Sequence, residues 1–185
     1  MAKITKQWLQ KKKACQEAVD WVVNQSDKDE FALFKKCLAE KRFEWASWCM
    51  VRRLSLPDKR RYAIYAANQV LYLFADEYPN DKRPRRALAA ARKYLKAPTK
   101  KNANTAYAAG GDSRAAGDVA FSTAAVHAAY AAAHTGHAVY AAAHAVHAVD
   151  YADAAIVHAV HADADAVRIK ILKYGVKLYK ARKIK

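Results

Sequence analysis

A chain of 185 residues with 33 Lys and Arg against 17 Asp and Glu carries a formal charge of +16. That length gives one domain of ordinary size with room for a buried core. The charge turns away basic partners and favours anionic ones: nucleic acid, a phosphorylated ligand, an acidic protein or an anionic surface.

Taken in chain order, the elements read as helices throughout. Only five glycines and four prolines punctuate the chain, and they fall between periodic segments. The opening MAKITKQWLQKKKACQ has no apolar run, so it is not read as a signal peptide. Thr5 caps a first helix that carries Trp8, Cys15, Val19 and Val22 on one face. NQSDKDE (24–30) is a turn and a fresh cap, and a second helix runs through Phe31, Phe34 and Leu38. A third starts near Phe43 and passes Trp45, Trp48 and Val51 until SLPDKR (55–60) breaks it. Pro57 then opens a fourth helix through Tyr62, Tyr65, Val70 and Phe74, which stops at Tyr78-Pro79. NDKRP (80–84) starts a fifth that ends near Lys96, and a sixth begins around Asn102 and is interrupted at Gly110-Gly111. The fold class expected is all-α, a multi-helix bundle in one domain (1–185). It divides into an aromatic and basic half (1–98), an Ala/His-rich stretch (99–167) with two or more long helices, and a basic last helix (168–185).

Charge is segregated along this chain. From Ala115 to Val167 there is no Lys or Arg. The last helix then carries an apolar seam of Val167, Ile171, Tyr174 and Leu178 beside a basic stripe of Lys170, Lys173, Lys177 and Lys180. The alanine tract is too weakly apolar to span a bilayer. Its small side chains favour helix, let axes approach closely, and make it the candidate surface for self-association.

That tract holds all seven histidines. His127, Tyr130 and His134 recur as His137, Tyr140 and His144. At about 100° per residue a ten-residue repeat walks the rings around a straight helix, so they cannot share a face. The local pairs His134/His137, His144/His147 and His158/His161 offer two ligands each. Without an HExxH or Glu-x-x-His pattern the histidines are read as polar spacers, and no metal is expected.

No cofactor motif and no nucleophile–base arrangement emerges. GGDSRAAGD (110–118) has the look of a phosphate-cradling turn but lacks the Lys-Ser/Thr of a P-loop. Cys15, Cys37 and Cys49 form no CxxC pair and are read as reduced thiols of a cytoplasmic protein. The chain is therefore not expected to be an enzyme. The candidate ligand-binding residues lie at helix starts, where unpaired N–H groups and arginine both favour anions. One knot holds Arg52, Arg53, Lys59, Arg60 and Arg61, with Trp45, Trp48, Tyr62 and Tyr65 close by in sequence, and the other holds Lys82, Arg83, Arg85 and Arg86. From these and Asp81 the candidate binding residues are Trp48, Arg52, Arg60, Arg61, Tyr62, Asp81, Arg83 and Arg85. If the knots converge they build a pocket for a phosphate and a stacked ring; if they stay apart they are a surface for an acidic protein.

The order of pieces also carries a resemblance. KKACQEAVDWV (12–22), FEWASWCMVRRL (43–54), YAIYAANQVLYL (62–73) and YPNDKRPRRALAAARKYL (78–95), followed by an Ala-rich tract and a basic helix, resemble small bacterial and phage proteins labelled "putative immunity protein". The most specific pieces are Ala14-Cys15 with Trp21, the segment around Trp45 and Trp48, and Asp81-x-Arg83-Pro84. The resemblance implies an all-helical, non-catalytic binder that neutralises a toxin or defence effector. The alternative readings are a phage-type anti-defence sponge for an anionic nucleotide signal, and non-specific nucleic-acid binding through the basic front and tail.

Overall fold

The computed structural model describes residues 3–117 and 164–183, and the described residues are helical almost throughout. They form eight helices: α1 (Lys6–Lys11), α2 (Gln16–Val23), α3 (Glu30–Ala39), α4 (Phe43–Arg53), α5 (Leu56–Glu77), α6 (Arg83–Lys96), α7 (Lys100–Gly117) and α8 (Ala164–Lys183). No strand occurs among the described residues; an isolated bridge between Lys3 and Asp29 is the one β-type pairing there. The histidine repeats and the long Ala-rich helices expected around them, with the self-association they suggested, lie outside the described residues. No described helix is long and apolar enough to cross a membrane.

The chain divides into two compact units, Met1–Cys49 and Met50–Lys185. In the first, helix starts are fixed locally. The Thr5 hydroxyl accepts from the Trp8 N–H at 3.2 Å, and the Asp29 carboxylate accepts from the N–H groups of Phe31 and Ala32. Ile4, Leu9, Val19, Val22 and Leu33 form its core, flanked by Trp8, Ala14, Trp21, Trp48 and Cys49.

The single first helix expected through Val22 is two helices. Lys13 turns into the left-handed region at φ 58°, the Ala14 N–H reaches back to the Leu9 carbonyl (3.0 Å), and the Lys13 N–H to that of Gln10 (2.9 Å). This is a Schellman closure built on lysine instead of glycine. A second one ends α3, with Lys41 at φ 56° and the Arg42 N–H on the Cys37 carbonyl at 2.8 Å. A Cβ in this region is strained. Lys13→Gly should therefore raise unfolding stability by up to about 1 kcal/mol, measured by urea denaturation.

In the second unit α5 and α6 form an antiparallel hairpin. The Arg92 guanidinium donates to the Asn68 side-chain oxygen at 2.5 Å, and the Arg60 guanidinium lies 5.1 Å from the centre of the Tyr94 ring. Buried Val70 and Phe74 of α5, with Ala87, Leu88 and Ala91 of α6, belong to its core. Asn102 fixes the turn into α7, donating from its side chain to the Ala97 carbonyl at 2.7 Å while its N–H reaches the Thr99 hydroxyl at 3.2 Å. Buried Ala106, Gly110 and Ser113 give α7 a small-residue face.

α7 runs without interruption through Gly110-Gly111, so the break expected there does not occur. Glycine weakens a helix by about 1 kcal/mol relative to alanine but does not end one that tertiary packing holds. The same fact removes the phosphate-cradling turn, because residues 110–117 are helix and Ser113 is fully buried. Nothing lies within 4 Å of a Cβ built at Gly111. Gly111→Ala should thus stabilise by about 0.5–1 kcal/mol, checked by the shift of the thermal midpoint.

α8 packs on α5. Tyr174 stacks on Tyr65 with ring centres 4.0 Å apart and planes 17° apart, and Gly175 lies against Tyr62 and Met50. Of the seam read from the sequence Ile171 is buried and Val167, Tyr174 and Leu178 are half-buried, Leu172 beside it is buried too, and Lys170, Lys173, Lys177 and Lys180 of the stripe are exposed.

Candidate functional site

The α5 knot forms around the helix start. Ser55 caps α5 and its hydroxyl donates to Asp58 at 2.6 Å, while Arg61 donates to the other Asp58 oxygen at 2.7 Å. Asp58 is 9% exposed, so Arg61 answers a nearly buried carboxylate rather than presenting a free charge. Arg60 spreads over Tyr94 as described. Arg52 is half-buried in the last turn of α4, where a cation complements the helix carbonyls.

The α6 knot is a clamp of its own. Asp81 accepts from the Arg83 backbone N–H (2.9 Å) and from the guanidinium at 3.1, 3.0 and 2.6 Å. The hydrogen bond from Arg83 holds the Asp81 carboxyl below its ordinary value, and the same bond holds the Arg83 guanidinium above its own. Asp112 of α7 adds to the field at Arg83. With Pro84 buried in the first turn, Asp81-x-Arg83-Pro84 is a device for starting a helix. Arg85 is exposed.

These two knots do not meet. Arg60 touches Tyr94 near the end of α6, while Arg83 begins α6 three helical turns earlier, about 16 Å along the axis. The antiparallel hairpin therefore places Arg60 and Arg61 at one end and Asp81, Arg83 and Arg85 at the other. Tyr62 has no exposed surface and belongs to the core. Trp48 lies in the first unit, edge-on to Trp8 at 6.1 Å and 87°. The aromatic residues quoted beside the arginines are packing residues at these two positions.

Two arrangements go beyond the sequence reading, which named Arg85 and Arg86 but neither the Arg42 cluster nor the continuation of the α6 face to Arg92, Lys93 and Lys96. In the first unit, Arg42 lies 4.3 Å from the Trp45 ring centre and 5.7 Å from that of Trp21, and the two rings meet edge-to-face at 5.8 Å. Glu40 accepts from both the Trp21 ring N–H and the Arg42 guanidinium at 2.8 Å, and Glu17 lies 3.6 Å from Arg42. The Arg42 hydrogen bond, then that of Trp21, hold the Glu40 carboxyl below its ordinary value of 4.5. A carboxyl depressed in the folded state stabilises the fold above its unfolded value and loses that contribution as pH falls through the folded one. Acid melts of the Glu40→Gln variant should accordingly lose less stability below pH 4.5 than those of the parent.

The second arrangement is the outer face of α6. Arg85, Arg86, Ala89, Arg92, Lys93 and Lys96 are exposed, while Pro84, Ala87, Leu88 and Ala91 face inward. The chain holds no acid from Lys82 to Gly111. Arg85, Arg92 and Lys96 fall at i, i+7 and i+11, a helical stripe that the spacing alone would have revealed.

Cys15 is exposed, Cys49 half-buried and Cys37 buried, none of them in a disulfide, and burial pushes the Cys37 thiol up to about 12. Among the described residues no group of three or more His, Cys, Asp and Glu side chains is placed to hold a metal.

A family model described as "Imm-5 like putative immunity protein" matches residues 55–177, a stretch that includes all of α5, α6 and α7 and most of α8. No curated protein and no solved structure matches the chain.

Proposed function

Because the chain belongs to this Imm-5-like immunity-protein family, we propose that it is a non-catalytic protein that binds and neutralises a toxin or defence effector. Residues 1–185 act as a single functional domain in this role, in the cytoplasm, where three cysteines outside any disulfide stay reduced. The observation that carries the reading is the separation of the arginine knots. Charges about 16 Å apart along a helix offer no single cradle for a phosphate and a stacked ring, whereas a protein surface is wide enough to engage either end. Tyr62, which a nucleotide pocket would need, is spent on the core. That separation favours a protein surface over a nucleotide sponge, and the binding residues are sought among the exposed cations, Arg85 foremost.

The experiment is growth rescue. The tagged chain is cross-linked in cells that produce it, and the protein that co-purifies is identified and expressed alone and together with the chain. The expected result is growth arrest by the effector and recovery with the chain present. Unrelieved arrest, or sub-micromolar binding of a cyclic dinucleotide or ADP-ribose derivative that Arg83→Ala abolishes, overturns the proposal.

A further inference from the structure

We infer that the outer face of α6 is the docking surface for the partner, and that the partner presents a row of carboxylates there. This rests on the neutralisation reading above and deepens it.

The face is defined by the helix itself. The burial of Pro84, Ala87, Leu88 and Ala91 fixes the rotation of α6, so Arg85, Arg86, Arg92, Lys93 and Lys96 must project outward. They cover about 16 Å of helix. Ala89 stands exposed in their midst. Arg92 is already held in place by Asn68 at 2.5 Å, so part of the ordering that binding requires is done before the partner arrives.

The electrostatics point outward. Arg92 and Lys96 are four apart, and Lys93 and Lys96 three apart, so these cations repel along the helix. The nearest acid in sequence, Asp81, is held by Arg83 and also feels Arg86, and no other acid follows until Asp112, so Arg85, Arg92, Lys93 and Lys96 have none beside them in sequence. Carboxylates supplied from outside relieve that repulsion, and arginine meets them two bonds at a time. Single-stranded nucleic acid fits the face less well, and the duplex is left to the test below. Tyr94, the aromatic ring on α6, is covered by Arg60, so the helix offers no platform on which a base could stack.

The test uses two probes, an acidic Glu/Ala helical peptide and a short DNA duplex, titrated into the full chain at physiological salt. R85E/R92E/K96E carries the loss on α6; K170E/K173E/K177E removes the same charge from the exposed stripe of α8. Peptide affinity should fall about tenfold or more in the α6 variant and stay within about twofold in the α8 variant, while both variants weaken the duplex alike. Equal peptide loss in the two variants, no loss in the α6 variant, or duplex binding that is tighter than peptide binding and lost only on α6 overturns the inference. If charge reversal lowers the melting point, R85A/R92A/K96A replaces it, since alanine keeps the helix. Growth rescue separates the two claims. Rescue lost in the α6 variant alone supports the surface, and rescue kept in that variant rejects the surface and leaves neutralisation standing. A parent chain that never rescues rejects neutralisation, while the peptide titration still decides the surface.

Discussion

Gly175→Ala lowers the stability of the second unit by about 1–3 kcal/mol. A Cβ at this position would lie 2.6 Å from the Met50 Cγ and 3.0 Å from the Tyr62 Cε2. Both distances are below van der Waals contact, and neither neighbour is free to retreat: Met50 is 6% exposed and Tyr62 not exposed at all. A substitution that ordinarily strengthens a helix by about 1 kcal/mol is therefore reversed in sign by packing. Met50→Ala in the same chain should return part of the loss, because it removes the closer of the two clashing groups. Denaturant titration of the two single variants and the double variant closes the cycle, and a coupling of the opposite sign would contradict the packing argument.

Tyr62→Ala has the largest expected effect of any single substitution, about 3–5 kcal/mol. The ring is the largest side chain of the fully buried set and packs where α8 meets α5. The variant's expected behaviour is partial or complete unfolding in circular dichroism, with any loss of binding following from loss of the fold. Arg85→Ala is the contrast, since Arg85 is exposed and its removal should leave the melting curve in place. If Tyr62→Ala instead kept the fold and lost only ligand, Tyr62 would be a binding residue after all.

Helix starts were legible in the sequence because caps are local. Thr5, Asp29 and the Ser55-x-x-Asp58 pair satisfy N–H groups two or three residues away, so nothing distant decides them. Helix interruptions were not. Lys11, Lys12 and Lys13 are good helix formers, yet the chain turns at Lys13 so that Ala14 and Val19 can both join the core of the first unit. Gly110-Gly111 is a poor helix-forming pair, yet α7 continues through it. In both places tertiary packing overrides propensity.

The candidate site divides the same way. Asp81 and Arg83 are neighbours in sequence and their clamp follows from that nearness. Whether their knot meets the one at Arg60 depends on the direction of the α5–α6 hairpin, which no local pattern states. The Arg42 arrangement draws Trp21 from α2 and Trp45 from α4, with Glu40 reaching Trp21 across 19 positions of sequence. Only the cation stripe of α6 was open to a spacing argument, because it lies within one helix.

Stoichiometry tests the central claim most directly. The effector recovered in the rescue experiment is assayed for its own activity while purified chain is titrated in. A protein that neutralises by occupying a surface removes activity in proportion to the amount added and reaches zero at one chain per effector, with no further loss on longer incubation. Activity that disappears at a small fraction of that ratio, and continues to fall with time, would mean that the chain turns over its target and is an enzyme.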